Sequence, residues 1–132
     1  MKLTLVFGAL TLGLLVFTAP GSAIAAASDF EFTLVETSIK EGDGAIISVR
    51  LIDKRTGNSV PDAIIFTTRL DMEPEGMATM LTPVEALPST EPGVYRFKAD
   101  LTMQGGWRFS IAAKVQGEID TVQMQSNFEA VK

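Results

Sequence analysis

The chain has 132 residues, 46% of them apolar, and a formal net charge of −5, with neither cysteine nor histidine. The missing cysteine excludes disulfides, thiolate metal sites, a cysteine nucleophile and a lipid-anchored N-terminal cysteine, and the missing histidine excludes every Ser-His-Asp triad. The acidic balance argues against nucleic-acid binding, which depends on Lys and Arg facing phosphate. The length suits one domain.

The N-terminus has the layout of a secretory signal peptide. Lys2 precedes an uncharged apolar run from Leu3 to Phe17, and small residues near Ala25 and Ala27 offer cleavage sites. As a helix this run is shorter than the bilayer core, which favours a cleaved signal over a retained anchor. We therefore expect a signal peptide over residues 1–27, a domain over residues 28–132 and export to the periplasm, with an uncleaved N-terminal anchor as the alternative.

The segment that follows shows the alternation of half-buried strands. Phe30, Phe32 and Leu34 occupy every second position, which predicts a first strand. Glycines at residues 41–44 predict a turn, and the β-branched residues of 45–52 predict a second strand.

Residues 63–72 predict a third strand, and residues 79–86 predict a weaker one. Pro83 assigns the weaker strand to a sheet edge, because proline cannot donate to a central ladder. One face of the third strand carries the apolar residues Ile64, Phe66, Leu70 and Met72.

Three further strands are predicted at residues 93–101, at 107–115 and around 122–128. Short strands at this spacing predict an all-β, immunoglobulin-like β-sandwich of about seven antiparallel strands, with an OB or jelly-roll barrel as the alternative. Tyr95 follows a Pro-Gly-Val sequence and is similar to the tyrosine corner of such domains, with an ordinary strand aromatic as the alternative.

The residue inventory does not favour an enzyme. The chain lacks the nucleophile-elbow, dinucleotide-binding and phosphate-loop glycine motifs. Its serines after the signal have neither histidine nor a suitably spaced lysine to activate them. Its acidic residues occupy loops or solvent-facing strand positions, so we expect a non-enzymatic domain.

The spacing of the methionines is the one unusual feature of the sequence. Met72, Met77 and Met80 fall within nine residues, and Met77 and Met80 flank a Pro/Gly loop where a core gap-filler is not needed. Thioether sulfur is soft and neutral and suits Cu(I). Alternating strand directions place this loop and residues 104–106 at one end of the sandwich. If residues 104–106 form a hairpin loop, Met103 becomes a cross-strand neighbour of the next strand.

This topology predicts a Cu(I) site in which Met77, Met80 and Met103 are ligands, Met72 is a possible fourth and Trp107 is a lid. Three alternatives stay open. In the first, Met72, Met103, Trp107 and Met124 are core residues, because each continues the apolar alternation of its strand. In the second, exposed methionines form a protein-docking surface. The third is a hard cation bound by the carboxylates of the same loop, although their spacing follows no EF-hand pattern.

Several short motifs resemble the YtkA-like / FixH-like family of small exported or membrane-anchored bacterial domains. They are Val60-Pro61-Asp62-Ala63, Arg69-Leu70-Asp71-Met72, Glu91-Pro92-Gly93-Val94-Tyr95 and Leu101-Thr102-Met103-Gln104-Gly105-Gly106-Trp107. The resemblance implies an immunoglobulin-like sandwich outside the cytoplasmic membrane and an association with copper handling or heavy-metal efflux. The chain departs from relatives that keep a membrane helix and from copper carriers that use histidine beside methionine.

Together these patterns predict a periplasmic accessory domain that binds Cu(I) weakly through methionines or supports an assembly that does so. The alternative is a metal-free interaction module that docks on an envelope or membrane-complex protein. Neither hypothesis involves nucleic acid or a membrane span after signal cleavage.

Overall fold

A computed structural model describes residues 27–132 of the chain, so the predicted signal peptide lies almost entirely outside the described residues. No helix in this part of the chain is long and apolar enough to cross a bilayer. The described chain forms nine strands: β1 (Phe30–Leu34), β2 (Ser38–Lys40), β3 (Gly42–Asp53), β4 (Ile64–Met72), β5 (Met77–Leu81), β6 (Val84–Leu87), β7 (Val94–Leu101), β8 (Gly105–Lys114) and β9 (Thr121–Val131).

The strands form two sheets that pack face to face. The first sheet has the order β1-β3-β7-β6 and the second has the order β2-β9-β8-β4-β5. Lettered A, A′, B, C, C′, D, E, F and G in chain order, the sheets become ABED and A′GFCC′, which is the immunoglobulin arrangement with one extra strand at each edge of the second sheet. The predicted immunoglobulin-like β-sandwich is confirmed.

Two differences raise the strand number above seven. Ser38–Lys40 pairs in parallel with the end of β9 and forms a short edge strand that the sequence analysis did not predict. Residues 79–86 do not form one strand, because the chain leaves the second sheet at Pro83 and joins the first as β6. Proline lacks the N–H that would continue the ladder, so the break between the sheets falls there.

The alternation predicted for β4 is wrong in its first half. A β-bulge between Ile65 and Thr67 inserts one residue opposite β8, and this reverses which side chains face the core. Ile64 and Phe66, predicted to share a face with Leu70 and Met72, are therefore 70% and 56% exposed. Leu70 and Met72, beyond the bulge, are fully buried as expected.

Tyr95 ties the loop between β3 and β4 to strand β7. Its hydroxyl donates to the Val60 carbonyl at 2.6 Å and accepts from the Ala63 amide at 3.0 Å. It lies near the start of β7, the E strand, whereas a tyrosine corner lies near the start of the F strand. The predicted tyrosine corner is therefore wrong in its position, although the phenol does close a loop.

Candidate functional site

The predicted methionine site lies where β4 turns into β5. Met72 ends β4, a 3₁₀ turn occupies Glu73–Glu75, and Met77 begins β5 as the register partner of Met72. Gly76 closes the turn in the left-handed conformation with φ of 74°, and its amide donates to the Glu73 carbonyl at 2.8 Å. Met72 and Met77 are thus direct cross-strand neighbours, whose Cβ atoms lie about 5 Å apart in such a pair.

A register shift in β5 turns Met80 to the same side. The ladder passes from Met72↔Met77 to Asp71↔Leu81, so extra residues of β5 lie between these two pairs. Leu81 and its register partner Asp71 both point away from the core. Leu81 is 55% exposed there, whereas Asp71 is covered by other side chains. Met77 and Met80 are half-buried and both pack against the core.

The 3₁₀ turn rests on the start of β8. The Gly106 amide donates to a carboxylate oxygen of Glu75 at 2.8 Å. A Cβ atom built on Gly106 would lie 2.8 Å from Cβ of Pro74, so the turn and the strand approach as closely as a glycine permits. The loop with Met77 and the segment after Met103 therefore share one end of the sandwich.

The hairpin predicted around residues 104–106 is wrong. β7 belongs to the first sheet and β8 to the second, so the chain crosses between sheets and Met103 has no cross-strand partner. Met103 is instead linked to Trp107 by a hydrogen bond from the indole N–H to its carbonyl oxygen, at 3.1 Å. Its side chain is 40% exposed.

Trp107 packs as a core residue. Its side chain is fully buried, and its register partner on β9 is Phe128, which is also buried. A fully buried indole cannot act as a movable lid over a surface-bound ion, so this part of the prediction is wrong. The structure places Met124 on β9 beside Ile111 of β8, half-buried against the core. We refer to Met72, Met77, Met80 and Met103 as the methionine pole.

The carboxylates of this region are already engaged by protein groups. Asp71 is fully buried and accepts from the guanidinium groups of Arg69 at 2.7 Å and Arg108 at 3.0 Å, and from the Glu73 amide at 3.0 Å. Burial raises the pKa of Asp71, but these hydrogen bonds and the Arg108 charge outweigh it and hold the pKa below its usual value.

These pairings leave few oxygen ligands for a hard cation. Glu75 accepts from the backbone of β8, and Glu73 lies 3.9 Å from Arg108. Within residues 27–132, no group of three or more acidic side chains is arranged to hold a metal ion. The thioethers therefore remain the donor set to consider at this end of the molecule.

A second surface feature was not predicted from the sequence. A groove of about 350 Å³ lies between β4 and β6 and is lined by apolar side chains that include Ile65, Phe66, Val84 and Leu87. The bulge in β4 creates it in part, because it turns Phe66 toward solvent. A β-bulge has no reliable sequence signature here, so alternation alone assigned Phe66 to the core.

Comparison with known proteins gives a family match for most of the chain. The model of the family described as YtkA-like matches residues 24–112. No curated protein matches the chain.

Among solved structures, the chain is similar to the Lin-41 filamin domain, with 16% identity, a TM-score of 0.49, and coverage of 76% of this chain and 91% of that one. It is also similar to the ZirS C-terminal domain, with 13% identity, a TM-score of 0.44, and coverage of 88% and 75%. A conjugative transposon lipoprotein from Bacteroides eggerthii DSM 20697 shows 12% identity, a TM-score of 0.36, and coverage of 76% and 96%.

Proposed function

Because the chain belongs to the YtkA-like family, we propose that it is a small, non-enzymatic accessory domain of the bacterial cell envelope that binds Cu(I) weakly through the methionine pole. In this proposal residues 1–27 are a cleaved signal peptide and the domain of residues 28–132 works in the periplasm. Its partner is an envelope or membrane-complex protein.

The observation that carries this proposal is the arrangement of Met72, Met77 and Met80. Cross-strand pairing joins the first two, and the register shift in β5 turns the third toward the same side. Met103 lies in the neighbouring loop and is exposed enough to meet an ion from solvent.

Ligand chemistry supports copper over other metals. Thioethers are soft donors and stay neutral at every pH, so they bind Cu(I) without competition from protons. The chain has no thiol or imidazole, so bound copper would have few stronger ligands to move to. This donor set suits weak, reversible binding of Cu(I).

The test is a Cu(I) titration of the protein produced from its full-length coding sequence, under reducing, oxygen-free conditions with a chromogenic chelator as competitor. Met77→Leu, Met80→Leu and Met103→Leu replace thioether by a hydrocarbon of similar volume, so the fold survives. We expect each variant to weaken binding at least about tenfold, the cost of losing even an indirect partner of a metal site.

Met124→Leu is the matched control, because Met124 also packs against the core but lies on β9, away from the pole. It should bind Cu(I) as the unmodified protein does. The copper proposal would be refuted if the unmodified protein did not bind Cu(I). It would also be refuted if Met77→Leu, Met80→Leu and Met103→Leu bound Cu(I) as tightly as Met124→Leu.

A second candidate function is a metal-free docking module. The observation that favours it is that Phe66 of β4 and Leu81 of β5 are both more than half exposed and line two cavities that share residues of β4, while Ile64 at the start of β4 is also exposed. Exposed apolar side chains grouped on one surface are typical of a protein-interaction site.

A further inference from the structure

β4 presents a free edge along most of its length. On one side it pairs with β8 from Ile64 to Asp71, and on the other side it pairs with β5 only through Asp71 and Met72. No strand of the described chain therefore pairs with the outer edge at residues 64–69. An unpaired strand edge offers backbone N–H and C=O groups in the spacing that another extended chain needs.

The edge borders a continuous groove. The cavity of about 350 Å³ between β4 and β6 shares Thr67, Thr68 and Val84 with a second cavity of about 740 Å³, which extends toward Leu81. Natural sheets usually protect such an edge with charges or prolines, whereas Arg69 is the one charged residue of this edge and the apolar Ile64 and Phe66 are exposed along it.

The charges of the groove are all positive. Arg96 lines the first cavity and Arg69 the second, and no carboxylate lines either one. Arg69 is paired with Asp71, whereas Arg96 forms no salt bridge within residues 27–132. A cationic groove in a chain of net charge −5 favours an occupant that carries a negative group.

We propose that this groove binds an extended, acidic-and-apolar segment of a partner protein by strand addition to β4. The segment pairs with the free edge at residues 64–69, inserts alternate apolar side chains between β4 and β6, and sets a carboxylate against Arg96. This inference rests on the docking function and is independent of copper.

Two other occupants fit the charges less well. Residues 64–68 of a second copy contain no acidic side chain, so β4-to-β4 pairing leaves Arg96 without a partner. The first 26 residues of the chain contain no acidic side chain either, and Lys2 adds a positive charge. The charge pattern therefore selects a separate protein.

A random-peptide display library, selected on the protein produced from its full-length coding sequence, tests the proposal. We expect enriched peptides with apolar residues at every second position and one Asp or Glu. Proline in the middle of the best peptide should abolish binding, because it removes a backbone donor. Arg96→Glu should weaken binding at least about tenfold, and a Lys in place of the peptide's acidic residue should restore it.

Matched variants separate the groove from other surfaces. Phe66→Ser should weaken binding, whereas Ile119→Ser, at a residue 75% exposed outside the groove, should not. Arg50→Glu, on β3 of the same sheet as Arg96, should also leave binding unchanged.

The outcomes distinguish the groove from the broader docking function. Peptides that bind Phe66→Ser and Arg96→Glu normally would overturn the groove but keep a docking function elsewhere. Enrichment of no peptide would overturn both. A concentration-dependent dimer that the best peptide dissociates would assign the groove to a second copy and overturn the proposed partner.

Discussion

At the scale of single residues, Asp71 does the most to fix the methionine pole. It is the only charged side chain that is buried among residues 27–132. Its three hydrogen-bond donors come from β4, from β8 and from the 3₁₀ turn, so one carboxylate joins the elements that position Met72 and Met77. Buried carboxylates are tolerated when they are paired in this way.

Asp71→Asn should lower the free energy of unfolding by about 1–3 kcal/mol at neutral pH, because it weakens charge-assisted hydrogen bonds to both arginines. The folded pKa of Asp71 is held below its unfolded value of 3.8, so its contribution is present above pH 3.8 and is lost as the pH falls through the folded pKa. Denaturant unfolding at several pH values measures both effects.

Glu91→Gln is the control for Asp71→Asn, because it makes the same chemical change in an exposed pair, 3.8 Å from Arg50. We expect almost no loss of stability from it, as is usual for surface ion pairs. Equal losses in the two variants, or an unchanged acid dependence after Asp71→Asn, would contradict the role assigned to the Asp71 network.

At the scale of elements, alternation predicted the strands whose ladders are regular. β1 and β8 each bury every second residue, as the sequence indicates. The alternation of β4 was predicted wrongly because its bulge depends on the pairing with β8. The sequence of residues 64–68 alone does not indicate that pairing. β2 was missed because three residues are too few to show a period.

The candidate site was predictable only in outline. Strand direction alone brings the β4–β5 turn near the start of β8, because both lie at one end of the second sheet. The position of Met103 was not predictable, since it follows from the crossing of the chain between sheets after β7, whereas the alternation of β8 already allowed Trp107 a core position. Sequence spacing alone does not distinguish a hairpin from such a crossing.

Gly106→Ala tests whether the 3₁₀ turn is held against β8. The added Cβ would lie 2.8 Å from Cβ of Pro74 and 3.3 Å from a carboxylate oxygen of Glu75, so the turn must move. We expect a loss of about 1–3 kcal/mol in the free energy of unfolding, as for other overpacked sites.

A double-mutant cycle with Pro74→Gly isolates this contact, because the glycine removes the opposing Cβ atom. Gly106→Ala should cost clearly less in the Pro74→Gly background than alone. Identical costs in both backgrounds, measured by denaturant unfolding, would show that the turn does not rest on β8 in solution.

At the scale of the whole molecule, both sheets depend on one core. Leu51 and Phe97 of the first sheet and Leu70 and Phe109 of the second are all nearly or fully buried, and the rings of Phe97 and Phe109 are 5.3 Å apart. In residues 27–132, only the β4–β5, β6–β7 and β8–β9 connections stay within one sheet. The chain passes between sheets so often that neither sheet can form a separate unit.

Leu51→Ala should therefore destabilise both sheets together. Leu51 is fully buried in the first sheet, and its truncation should cost about 2–5 kcal/mol. The only tryptophan of the chain, Trp107, lies buried in the second sheet, so its fluorescence reports on the sheet that was not changed.

Fluorescence and far-ultraviolet circular dichroism should show one common unfolding midpoint, shifted equally by Leu51→Ala in both signals. Ile46→Ala on the same strand is the control, because Ile46 is 38% exposed and its truncation should change the free energy of unfolding by only about 0.5 kcal/mol. A fluorescence midpoint that stays constant while the circular dichroism midpoint falls would mean that the sheets unfold separately. In that case Met103, in the crossing loop after β7, would lose its fixed position relative to the methionines of β4 and β5 before the second sheet unfolds.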